Sequence, residues 1–158
     1  MFIRLWLLVI TLGFFALLPS TEAAAHPAPF SYVDLRPGEA SLEGAVTVHT
    51  VDLEHDLRID EDASLLDGRV LDRQYSAVAK LLLARLDLRD ADGVRLALEA
   101  GTLEPVVGDD TVRLTFRAEG KPPAALAVDA HLFDYDPLHQ TFVTIYDGDT
   151  VAQQMIFA

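Results

Sequence analysis

The chain has no cysteine. Disulfides, thiolate metal sites, thiol nucleophiles and lipid attachment through cysteine are therefore all excluded. Tryptophan occurs once, at Trp6. Basic residues are scarce: 12 Lys and Arg stand against 25 Asp and Glu, for a net charge of −13. Such a surface repels nucleic acid and anionic membrane, and no basic stripe offsets it. Only one long apolar run exists, Leu5 to Leu18, so no membrane span is expected beyond it. G-x-S-x-G, Walker and G-x-G-x-x-G motifs are missing. Ser31, Ser41, Ser64 and Ser76 lie in contexts with no base nearby, and acid pairs are too abundant to mark a glycosidase site. The expectation is a protein without enzyme activity.

The one apolar run has a clear reading. Arg4 precedes it, Pro19 ends it, and the small-residue segment "STEAAA" follows, which is the three-part pattern of a secretory signal. The run is shorter than the roughly 20 residues a spanning helix needs. Ala23 and Ala25 fit the small positions before a cut, so residues 1–25 read as signal peptide and His26 as the new terminus. Cuts after Ala23 or Ala24 remain open. The mature chain is expected to be exported, to the periplasm or the extracellular space, as a single domain over residues 26–158. Without cysteine, burial alone must hold it together.

What is present is mostly strand pattern. "FSYVDLR" is followed by a turn and then "LEGAVTVHTV" (Leu42–Val51). "TVRLTFRAE" alternates, with Val112, Leu114 and Phe116 on one face and Arg113, Thr115 and Arg117 on the other. "ALAVDAHLF" turns Leu126, Val128, Ala130 and Leu132 inwards and Asp129 and His131 outwards. "QTFVTIY", a "DGD" turn and "TVAQQMIF" read as a closing hairpin. Between these, Leu71, Tyr75, Val78, Leu82 and Leu86 recur at helical spacing, predicting an amphipathic helix over Asp72–Ala84. The expected fold is mainly β: an antiparallel β-sandwich (immunoglobulin-like) with one helical crossover between its second and third strands. Val46, Val48, Leu82, Leu114, Phe116, Val128, Leu132 and Phe142 are expected in its core.

The chemistry-bearing residues are five histidines: His26, His49, His55, His131 and His139. "VHTVDLEHDL" gathers His49, Asp52, Glu54, His55 and Asp56, and "FDYDPLHQTF" gathers Asp134, Asp136 and His139. Helix physics explains the first acids, Asp52 as an N-cap and Glu54 and Asp56 against the positive helix end. It does not ask for histidines. A terminal His26 offers its amine and ring Nδ1 to one ion. Pro27 has no N–H, so it blocks the copper sites that use deprotonated backbone amides yet permits this two-point chelate. Imidazole and amine nitrogen suit copper or nickel first and zinc after them, rather than calcium or magnesium. His55 and His139 are the favoured partners because each lies beside carboxylates that orient a ring. His49 ranks behind them, as a strand residue facing out, and His131 last. Copper polysaccharide oxidases also begin with histidine, but they present flat aromatic faces, and Trp6 is lost with the leader.

"HPAPFSYVDL" after a signal, "VHTVDLEHDL", and "LFDYDPLHQTFVTIYDG" followed by "QQ" together resemble the extracytoplasmic N-terminal domain of HupE/UreJ-type proteins. These are hydrogenase and urease accessory membrane proteins associated with nickel or cobalt supply. The resemblance covers most of His26 to Phe157, with Leu65 to Lys121 matching in general pattern only. In that family several membrane helices follow the domain, whereas here the sequence stops at Ala158, so transport is not carried over. The resemblance implies an exported domain, alone or cut from its membrane half, that binds metal, senses, or docks to a membrane transporter or accessory partner. The alternative is a non-catalytic protein-binding module docking to a membrane partner.

Overall fold

The computed structural model describes residues 30–59 and 64–158. The expected leader, its expected cleavage point and His26 lie outside the described residues.

The chain is mainly β. Strand β1 (Phe30–Pro37) turns into β2 (Ser41–His49). Helix α1 (Thr50–Leu57) and helix α2 (Gly68–Arg85) follow, then β3 (Asp87–Arg89), β4 (Glu99–Val106), β5 (Thr111–Glu119), β6 (Ala127–Asp129), β7 (Gln140–Asp147) and β8 (Thr150–Phe157). The helices fall between the second and third strands, as the periodicity indicates. Helix α2 begins earlier than its apolar spacing suggests because the Asp67 side chain accepts the Arg69 backbone N–H at 2.8 Å, satisfying a donor of the first turn.

Six strands form one sheet in the order β4-β5-β2-β1-β7-β8, and β3 pairs with β6 in a second. The larger sheet is mixed rather than wholly antiparallel. Strands β1 and β7 run parallel, with Tyr32 opposite Phe142 and Val33 opposite Val143, while the other neighbours are antiparallel. Alternation along single strands carries no information about this pairing. The first strand therefore ends up in the middle of the sheet, clasped by the last hairpin.

One face of the sheet is packed. Val33, Leu35, Val46, Val48, Val112, Leu114 and Phe116 are buried there against Leu71, Val78 and Leu82 of α2 and Leu88 of β3. Burial on this scale is the main stabilising contribution for a chain without cross-links. Two expected core residues sit differently. Val128 is only partly buried, on a strand of three residues. Phe142 lies on the sheet's opposite face, because its register partner is Tyr32, and it packs there on Phe30 and Tyr32 with ring centroids at 5.3 and 5.7 Å. "ALAVDAHLF" forms strand only at Ala127–Asp129, yet Ala130 and Leu132 are buried and His131 exposed, so the alternation survives.

The two edges of the sheet differ in kind. Edge strand β4 carries Glu99, Glu104 and Pro105 and an irregular register, devices that discourage further pairing. Edge strand β8, "TVAQQMIF", carries no charged residue and is largely exposed. No helix among the described residues is long and apolar enough to cross a membrane.

Candidate metal-binding site

At the end of the sheet where β1 begins and β2 ends, four segments bring polar side chains together. Ser31 comes from β1, where Phe30 and Tyr32 face out and Ser31, Val33 and Leu35 face in. That parity buries a hydroxyl among apolar groups, and a buried hydroxyl requires a partner. The partner is His139, whose Nε2 lies 2.9 Å from Ser31 Oγ. His139 is delivered by the "DPLH" turn. Asp136 caps that turn through its side chain, which accepts the Leu138 N–H at 2.9 Å, and through its carbonyl, which accepts the His139 N–H at 3.0 Å. The ring packs edge-on against Phe133, with centroids 4.9 Å apart.

Asp52 is not the N-cap of α1. His49 holds that position, and Asp52 is the third residue of the helix, 4% exposed. Its Oδ1 accepts the Tyr135 O–H at 2.6 Å. Burial raises the Tyr135 phenol above its usual range, and the Asp52 carboxylate beside it adds to the effect. The other oxygen, Oδ2, stands 3.9 Å from His139 Nδ1. That is too far for a hydrogen bond. Tetrahedral ligands with bonds near 2.1 Å stand about 3.4 Å apart, so the two groups would have to close by about 0.5 Å to share an ion.

Among the described residues, two imidazole nitrogens are sealed from solvent without a hydrogen-bond partner: His139 Nδ1 and His49 Nδ1. Burial is the largest reason that the His139 pKa lies below the ordinary imidazole value; the Asp52 and Asp136 carboxylates oppose it, and the neighbouring His49 adds to it. If Nε2–H donates to Ser31 Oγ, His139 presents a lone pair at Nδ1, the tautomer a metal ligand needs. His49, read as a strand residue facing out, instead has its Nδ1 buried at the helix start.

The remaining histidines stand apart from this pair. His55 is exposed; its Nδ1 bonds Asp56 Oδ1 at 3.0 Å, and its ring stacks on Tyr135 with centroids 3.7 Å apart. Asp56 in turn is bonded by Arg85. His131 is exposed and bonded to Asp129 at 2.7 Å. Among the described residues, no group of three or more His, Asp or Glu side chains is already arranged to hold an ion.

The reading of Ser31 as lacking a base is corrected, since the base arrives from a position 108 residues away. Ser31, His139 and Asp52 even follow the atom order of a hydrolytic relay. Ser31 is 0% exposed, so its hydroxyl has no access to a substrate. Sequence reasoning also passed over Asp52 and Tyr135 as site residues. The signals were present: His49 and Asp52 are three apart where a helix starts, and Ser31 is the one polar residue on an apolar strand face.

His139 sets a pH dependence for the metal-free protein. Its folded pKa is lowered, while the unfolded imidazole titrates near 6.5. Below about pH 6.5 the unfolded chain takes up a proton that the folded chain does not, so stability falls as the pH drops from there towards the folded value. His131 acts with the opposite sign, because its bond to Asp129 raises its pKa, but its exposure leaves little effect. Urea midpoints measured in chelator from pH 7.5 to 5 should fall more steeply for the natural chain than for His139→Gln. Parallel curves would show that His139 is not the group responsible.

No family model matches the chain, nor does any curated protein.

Proposed function

We propose that the chain is an exported, non-catalytic accessory domain of metal homeostasis that binds a copper- or nickel-like ion, with zinc a weaker candidate. The carrying observation is the sealed Nδ1 of His139, which has no hydrogen-bond partner among the described residues and stands 3.9 Å from the buried Asp52 carboxylate, together with a second such nitrogen on His49. A buried polar group without a partner is costly, and a ligand relieves the cost. His139 and His49 then serve as resident ligands with Asp52. His55 has its Nδ1 engaged by Asp56 and orients Tyr135 from outside.

His26 supplies the donors that complete the set. Ser31, bonded to His139, is five residues after His26, and an extended chain of that length reaches at most about 18 Å. That reach takes in this end of the sheet. The resemblance to the HupE/UreJ extracytoplasmic domain agrees with this reading and extends it to a membrane transporter or accessory partner. In fold terms the proposal takes the two sheets as layers of an immunoglobulin-like sandwich, with α2 completing the smaller layer.

The test is N-terminal sequencing of exported protein, followed by calorimetric titration with Cu(II) and Ni(II). The comparison is between the natural terminus, a form with one extra residue before His26, and His49→Ala and His139→Ala. Affinity should fall in all three altered forms, and should weaken as pH falls because amine and imidazole must lose protons to coordinate. Equal affinity throughout removes the site.

A second reading rests on β8. An exposed, charge-free edge strand offers its backbone to a partner's strand, as a protein-docking module would. Interference with partner binding by Gln153→Pro, with metal binding intact, would favour it.

A further inference from the structure

Of the two edge strands of the larger sheet, β8 alone carries no charge. Past the irregularity between Ile145 and Tyr146 it pairs regularly with β7: Gln153 lies opposite Ile145, Met155 opposite Val143 and Phe157 opposite Thr141. Val143 is buried in the core, so this parity turns Gln153, Met155 and Phe157 to the packed face of the sheet. Two cavities reach β8 on that face. One, of about 400 Å³, extends from Leu42 of β2 past Ile145 to Gln153, and Pro123, Ala125 and Leu126 complete its wall. The other, of about 180 Å³, meets β8 at Phe157 and is lined by Thr141, Asp134 and Asp136. Gln153 and Phe157 are four residues apart, about 13 Å along a strand.

A strand laid along β8 turns alternate side chains to this same face. Two of its residues four positions apart therefore stand beside Gln153 and Phe157, whichever way it runs. The first position faces apolar walls and takes a side chain such as leucine. The second takes a lysine or arginine, whose apolar stem lies on Phe157 while its head meets the two carboxylates. We propose, resting on the edge-docking reading of β8 above, that this edge binds an extended segment of a partner protein carrying an apolar and a basic residue four positions apart. Charge selects against a second copy of this chain. "TVAQQMIF" has no basic residue to place in the acidic cavity, and each copy carries a net charge of −13.

The probe is a labelled, threonine-rich peptide with one Leu and one Lys four positions apart, titrated by fluorescence anisotropy into the chain starting at His26. Ala125→Phe fills the apolar cavity from an exposed position and should weaken binding at least about tenfold, as exclusion of one apolar side chain requires. Asp134→Asn/Asp136→Asn should weaken it about fivefold, the upper end for solvent-facing ion pairs, and the deficit should vanish at high salt. In Asp136→Asn the amide oxygen still accepts the Leu138 N–H, so the turn is retained. A peptide with norleucine for Lys should not distinguish the double variant from the natural chain. Two further peptides, N-methylated at alternate residues in opposite phase, read the backbone: the phase that blocks the N–H groups facing β8 should not bind, and the other should. Equal binding by both phases overturns the proposal together with the edge-docking reading. Discrimination between the phases, with natural affinity in Ala125→Phe or in the double variant, overturns the two-cavity selection and leaves edge docking intact. A dimer of the natural chain in sedimentation, dispersed by the peptide, gives the edge to a second copy and overturns the proposal as well. Absence of binding by the probe removes it outright.

Discussion

Asp52→Asn is expected to abolish tight metal binding while leaving the fold close to its natural stability. The amide oxygen still accepts the Tyr135 O–H, the bond made at 2.6 Å in the natural chain, so the contact between α1 and the Tyr135 segment persists. What disappears is the anionic oxygen 3.9 Å from His139 Nδ1. Losing a charged ligand should exceed the 10–100-fold effect typical of outer-shell changes, so a drop of more than about 100-fold is expected. Asp52→Ala should bind as poorly and also be less stable, by about 1–3 kcal/mol, because the partly buried Tyr135 hydroxyl loses its acceptor. Titration monitored by tyrosine emission separates the two variants. The only tryptophan, Trp6, precedes the described domain, so a chain starting at His26 has tyrosine as its sole emitter of this kind. Natural affinity in Asp52→Asn would show that the carboxylate is no ligand.

The largest stability effect is expected at the crossing of β2 and β5. Gly44 lies opposite Phe116, and a Cβ built on Gly44 would stand 2.3 Å from Phe116 Cζ. The ring, 3% exposed, lies across the glycine backbone where any side chain would be. Phe116→Ala should cost about 3–5 kcal/mol through lost contacts and the void left behind. Gly44→Ala should cost about 1–3 kcal/mol through overpacking. The two are coupled: Phe116→Leu in the Gly44→Ala background should recover part of the loss, since the smaller side chain makes room. Denaturant unfolding of the four forms gives the coupling directly. Strict additivity would mean that the ring moves away at no cost.

Legibility in the sequence followed the range of the interactions. β5 and the β7–β8 hairpin are short-range objects, set by alternation and by one Gly turn, and their residues announce them. The parallel pairing of β1 with β7 joins residues more than a hundred positions apart, and no local period encodes it. Phe142 was misassigned for that reason: its strand was evident, but the face it shares depends on Tyr32. The site divides in the same way. The histidine-acid clusters stand out in composition, and the "DPLH" turn is legible as a turn. That Ser31 would meet His139, and that Asp52 would be buried under Tyr135 rather than capping its helix, depends on pairings the sequence does not display.

The central position of β1 has a consequence in time. A chain made from its N-terminus onwards presents β1 first, yet β1 acquires its second neighbour only when β7 and β8 have been made. Pairings of such long separation pay their loop-closure entropy before any contact returns it, and they form slowly. Ser31 and His139, 108 positions apart, therefore meet in the closing step. An unfinished chain would hold β1, β2 and the helices without a working ligand pocket. On the proposed metal-binding reading, capture of an ion would be reserved for molecules whose last hairpin has docked, and a bound ion would in turn hold that hairpin in place.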